Sequence, residues 1–184
     1  IENWFADFTK NKDISKNISS SDTPTIDANN HFVTPPFVDS HFHMDATLSY
    51  GLPRVNQSGT LLEGIALWGE LKPELTVDAI KDRARRFCKW AIARGTLAIR
   101  SHVDVSGDNL LGVQALLDIR EEMKEFIDIQ LVAFPQDGLL RATCLDNLIS
   151  ALDMGVDVVG GIPHFERTMA DGAESIKIFI DRFA

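Results

Sequence analysis

From residue 37 the chain switches between two hydrophobic periods. Phe37 to His43 reads as a short buried strand. Leu61–Leu71 suits a helix. Val77, Ile80, Ala84, Phe87, Cys88 and Ala91 then recur at helical spacing, with Thr76 as N-cap, Asp78 in the first turn and Gly95 as the stop, which predicts a helix over 77–94. Strand two is expected over 96–105, a helix over 110–126 and strand three over 127–134. Thr143-Cys144-Leu145-Asp146 has the form of a capping box for a helix ending at Gly155. Strand four is expected over 156–162, and a last helix from near Gly172. Strands three and four are continuous apolar runs, as expected where both faces of a sheet are covered. Residues 9–30 are polar and read as loop.

Alternating strands and helices imply a parallel sheet with crossover helices. A doubly wound sheet and a (β/α)8 barrel both fit, and in both the sites lie at the carboxyl ends of the strands. Polar side chains gather at those ends: His41 and His43, His102 and Asp104, Gln136, then His164 and Glu166. No glycine-rich nucleotide fingerprint follows strand one, which disfavours the doubly wound alternative. Only about four β/α units are present, whereas a barrel needs eight.

Composition narrows the partners. With 45% hydrophobic residues in 184, a globular core is expected. A net charge of −9 disfavours nucleic acid and anionic membranes. No apolar run is long enough to span a bilayer. The opening Ile-Glu-Asn-Trp-Phe-Ala-Asp-Phe lacks the basic and apolar regions of a secretory leader. Cys88 and Cys144 are expected to be reduced core thiols, which fits a cytoplasmic setting. Without an initiator Met, the chain is expected to be processed or partial.

The chemistry begins with His41 and His43. Side chains alternate along a strand, so these two imidazoles project to one side and can grip one divalent ion. The pair alone leaves open two strand-end histidines satisfied by backbone carbonyls. A bound ion would generate a nucleophile from water at neutral pH. Zinc and iron both suit imidazole ligands, and the pattern does not choose between them. Gln136 can donate and accept at once, which suits a cyclic amide edge; the competing reading is a turn residue in Pro-Gln-Asp-Gly. His102 suits a pocket floor or a bond to a neighbouring strand. Asp45 could support the loop after His43 or cap a turn, and His164 and Glu166 could form a pocket rim or simply a loop. Gly160-Gly161 suggests close backbone approach, and Trp68 and Trp90 read as packing residues.

Five segments together resemble the amidohydrolase superfamily, and within it the bacterial cytosine deaminases. They are Pro-Pro-Phe-Val-Asp-Ser-His-Phe-His-Met-Asp, Asn-Gln-Ser-Gly-Thr-Leu-Leu-Glu-Gly-Ile, Arg-Ser-His-Val-Asp-Val, Ile-Asp-Ile-Gln-Leu-Val-Ala-Phe-Pro-Gln-Asp-Gly and Asp-Val-Val-Gly-Gly-Ile-Pro-His-Phe-Glu. The resemblance implies a (β/α)8 barrel of which this chain covers about the first four units. Residues 35–184 would be the first half of the barrel, and residues 1–34 a linker and remnant of a small β-sandwich. It implies hydrolytic deamination of a nitrogen heterocycle, cytosine foremost, with isoguanine or an s-triazine as alternatives. It implies His41 and His43 as ligands of one divalent ion, Gln136 on the pyrimidine amide edge and Leu61 flanking the ring. The family's later ligands and its proton-shuttling glutamate have no counterpart here. A homo-oligomer is expected of the full-length enzyme. Residues 1–184 alone are expected not to turn over substrate, and a non-catalytic α/β module is the remaining alternative.

Overall fold

The computed structural model describes residues 27–183. Its four strands form one parallel sheet in the order β1-β2-β3-β4, where β1 is Phe37–Phe42, β2 is Thr96–Asp104, β3 is Asp128–Phe134 and β4 is Val158–Val159. The helices are α1 (Leu61–Leu71), α2 (Val77–Ile92), α3 (Leu111–Met123), α4 (Cys144–Asp153) and α5 (Met169–Phe183). Strand order therefore follows chain order, as in consecutive units of a barrel, whereas a doubly wound sheet reverses direction at a switch point.

Alternation along β2 and β3 explains why the sheet has two unlike faces. Ile99, Ser101 and Val103 on β2, with Ile129, Leu131 and Ala133 on β3, are buried and belong to or border the main core with Ile80, Ala84 and Cys88 of α2 and Leu116 and Ile119 of α3. The opposite face carries Arg100, His102 and Asp104 of β2 beside Gln130, Val132 and Phe134 of β3, in unbroken register from Ala98↔Asp128 to Asp104↔Phe134. The site lies on this second face.

Thr76 caps α2 as expected, accepting from the Ala79 amide at 3.2 Å, and Gly95 ends the segment at φ 84°. Both cysteines are buried and unpaired.

Four expectations need correction. β1 is not a buried strand: Phe37 and Val38 are 65% and 69% exposed, because among the described residues only β2 pairs with it. Strand four is far shorter than 156–162. The Asp157 carboxylate takes the Leu131 amide at 2.8 Å, and Gly160 and Gly161 follow, so a regular ladder survives only at Val158–Val159. Thr143 forms no capping box; it sits at φ 64° and its hydroxyl donates to the Ala142 carbonyl. The last helix starts at Met169, where Thr168 accepts from the Asp171 amide at 3.1 Å. Gly172 lies inside that helix, where a Cβ would stand 2.6 Å from the Pro163 carbonyl oxygen. Residues 1–26 of the expected β-sandwich remnant lie outside the described residues, and residues 27–36 contain no strand.

Candidate active site

The carboxyl end of β1 is fixed from three sides. The Met44 amide donates to Ser101 Oγ at 3.0 Å, which ties the chain just beyond His43 to β2. Arg83 of α2 reaches up to the Asp45 and Thr47 carbonyls, both at 2.9 Å. Asp45 is 2% exposed, and its carboxylate accepts from the Asp104 amide at 2.9 Å and the Ala46 amide at 3.0 Å. Burial pushes the Asp45 carboxyl up to about 7. Asp45 thus ties the loop after His43 to the end of β2.

His41 and His43 face one cavity of about 940 Å3, together with Asp45, Leu61, His102, Gln136 and His164. Of the strand-end side chains singled out in the sequence, all but Glu166 line this space. The rings of His41 and His43 have centroids 5.4 Å apart at 69°. His102 lies against His41, with centroids 4.0 Å apart and planes tilted by 31°, and meets the edge of Phe134 at 5.3 Å. Among the described residues no set of three or more His, Cys, Asp or Glu side chains is arranged to hold a metal ion. His102 Nδ1 is buried without a hydrogen-bond partner. Burial and the neighbouring His41 and His43 lower the His102 imidazole to about 4, and burial, then His41, also lowers His43. Both are therefore neutral near pH 7, the form in which an imidazole can ligate an ion.

The walls come from three loops. Leu61 opens α1 and is 79% exposed, projecting over the cavity with Leu62 and Ile65. Gln136 follows β3 in a tight turn, its amide bonded to the Phe134 carbonyl at 2.9 Å, while its side chain is left to the cavity. His164 sits in the 3-10 turn Pro163–Phe165 on the far rim. Glu166 does not join them. Its carboxylate accepts from the Leu139 amide at 2.7 Å and the Leu140 amide at 3.3 Å, which makes it a loop brace. Gly160 is required by packing: a Cβ would stand 2.8 Å from both the Ala133 carbonyl oxygen and Val132 Cγ1.

Sequence reasoning understated one group. Trp68 is more than packing: its indole N–H donates to Asp104 Oδ2 at 2.7 Å, and it lines the cavity. Lys72, which the sequence did not single out, pairs with Asp104 at 2.6 Å and Asp137 at 3.1 Å. Trp68 of α1 and Lys72, its C-cap, stand four positions apart, a spacing that puts them on one face without naming their partner. Trp90 lies at the surface with the Arg86 guanidinium 5.6 Å from its ring.

Consecutive parallel β/α units with imidazoles and an amide at the strand ends define a barrel-type enzyme scaffold. Comparison with known proteins gives it a family. The model of the amidohydrolase family matches residues 24–173, and the chain belongs to that family. N-isopropylammelide isopropyl amidohydrolase of Pseudomonas sp. (strain ADP) is 38% identical over 143 residues, 74% of this chain and 36% of that protein. The uncharacterized protein YahJ of Escherichia coli (strain K12) is 34% identical over 158 residues, 82% of this chain and 33% of that protein. The crystal structure of 5-methylcytosine deaminase from Klebsiella pneumoniae liganded with phosphonocytosine superposes with a TM-score of 0.77 at 42% identity, over 80% of this chain and 36% of that one. N-isopropylammelide isopropylaminohydrolase from Burkholderia multivorans ATCC 17616 gives 0.64 at 28% identity, over 80% and 37%. The chain spans about a third of the length of the relatives it matches. Among the described residues no helix is long and apolar enough to cross a membrane.

Proposed function

We propose that this chain supplies part of the active site of a metal-dependent hydrolase that replaces an exocyclic amino group of a nitrogen heterocycle with oxygen, releasing ammonia. The observation that carries the reading is the convergence of His41, His43, Gln136 and Leu61 on one cavity. A cytosine-like ring fits this set best. The Gln136 amide would donate to the ring carbonyl and accept from a ring N–H, fixing which carbon faces the histidines. Leu61 would cover the ring from α1, and Phe134 would close the floor beneath His43 and His102.

His41 and His43 fit a divalent ion by donor type and shared outlook, with the remaining ligands drawn from outside the described residues. The imidazole set suits zinc or iron. When bound, the ion activates water for attack on the amino-bearing carbon. This chain's own task is to hold the ring edge at Gln136, exclude bulk water with the Leu61 side of the pocket, and hold the two imidazoles at the end of β1.

An alkylamino-substituted triazine is the second reading. It is favoured by the apolar wall of Leu61, Leu62, Ile65 and Ile162, which would accept an alkyl substituent, and by the 38% identical relative. Ammonia release from cytosine and 5-methylcytosine, set against amine release from N-alkyl triazines by the zinc- or iron-loaded protein expressed at full length, tests both. No metal-dependent release from any member of that panel would overturn the proposal.

A further inference from the structure

Helix α1 crosses the strand ends, and it is attached differently from α2, α3 and α4. None of its residues belongs to the main hydrophobic core, whereas those three helices each contribute several. Leu67 and Leu71 are buried, but toward the 46–54 turn, with a crevice of about 170 Å3 remaining between turn and helix. On the stripe that faces the strands, Leu61 and Ile65 line the open cavity and Trp68 and Lys72 follow at helical spacing. Those last two side chains meet the sheet through polar bonds.

Asp104, at the end of β2, is the receiving group. Its side chain is 5% exposed, and it accepts from Trp68 Nε1 at 2.7 Å, Lys72 Nζ at 2.6 Å and the Ser106 amide at 2.8 Å. Lys72 also reaches Asp137, the neighbour of Gln136, whose amide donates to Ser106 Oγ at 2.9 Å. Burial alone would depress the Lys72 ammonium, but Asp104 and Asp137 outweigh it and hold it above its ordinary value. Behind the group is a second cavity of about 390 Å3, walled by Trp68, Lys72, Asp104 and Asp137. Little packed material therefore stands under this part of α1 to keep it in place if the polar bonds are lost. A charge left without its partner in such a setting is costly, so each bond constrains the others.

We propose that Trp68, Lys72 and Asp104 form a latch that sets α1 across the cavity, making Trp68 and Lys72 positioning residues for the Leu61 wall and, through Asp137, for Gln136. The positioning role rests on the reading of the large cavity as a substrate site; the latch itself does not.

Hydrogen–deuterium exchange of the α1 amides tests the latch directly. Lys72→Met removes the ammonium and keeps the stem; Trp68→Phe removes only the N–H donor and part of the ring, and serves if Lys72→Met fails to fold. Both should exchange the α1 amides at least about tenfold faster than wild type while β2 and β3 remain protected. Lys72→Arg should restore most of the protection. In the full-length, metal-loaded protein, both variants should raise KM for the heterocycle about tenfold and leave kcat within about threefold. Unchanged α1 exchange in both variants overturns the latch, whatever the activity. Faster exchange with unchanged KM overturns the positioning role. A wild-type protein that turns over no heterocycle removes the substrate reading, and the exchange data still decide the latch.

Discussion

The imidazole of His41 lies against that of His102 at 4.0 Å between centroids, tilted by 31°, so each limits how far the other can turn. Loss of His41 or His43 should abolish stoichiometric binding of zinc. His102→Ala should weaken it about ten- to hundredfold, as the loss of an orienting partner does elsewhere. Chelator competition followed by elemental analysis measures both. Equal losses for all three variants would make His102 a ligand rather than an orienting neighbour.

Gln136 has its backbone committed to a turn and its side chain turned to the cavity. Gln136→Ala should therefore leave fold and metal content intact. It should lower kcat/KM for a cytosine-like ring by roughly ten- to a hundredfold, since an unmet buried hydrogen bond costs about 1–3 kcal/mol. Wild-type kinetics in the variant would reduce Gln136 to a turn residue.

Two glycines make a paired test of close approach. Gly160→Ala puts a methyl 2.8 Å from a carbonyl oxygen of β3 and should cost about 1–3 kcal/mol in denaturant unfolding. Gly64→Ala meets only Asn56 Nδ2 at 3.8 Å, and in a helix interior it should stabilise by up to about 1 kcal/mol. Equal effects at the two positions would remove packing as the reason for Gly160.

Burial pushes the Cys88 thiol up to about 12 and the Cys144 thiol to about 11. At pH 8 neither forms thiolate in the folded protein, so neither should react with an aromatic disulfide reagent until denaturant is added. Rapid labelling of either cysteine in the native state would show that its helix opens readily.

The parts that were legible in the sequence are those governed by local period. The stripe Val77, Ile80, Ala84, Cys88 marks α2, and the strand-two run put His102 and Asp104 at its carboxyl end. The convergence of His41, Gln136 and His164 was legible because strand ends share one side of a parallel sheet. What escaped depends on distant partners. Val156 to Ile162 looks like a strand, yet the Asp157 side chain competes for the Leu131 amide. Thr143 has the capping pattern, but its left-handed backbone carries the hydroxyl elsewhere. The bond from Trp68 to Asp104 spans 36 positions, and neither local sequence announces it.

The separation of α1 from the main core has a consequence for how this scaffold can diversify. Exposed substitutions of Leu61 or Leu62 touch no packed interior, so their effect on stability should stay within about 0.5 kcal/mol. The outer wall of the cavity can therefore change at little cost to folding, whereas the histidines of its floor are tied to β1 and β2. Mutation in one short helix can therefore reshape the mouth of the cavity without passing through an unstable intermediate.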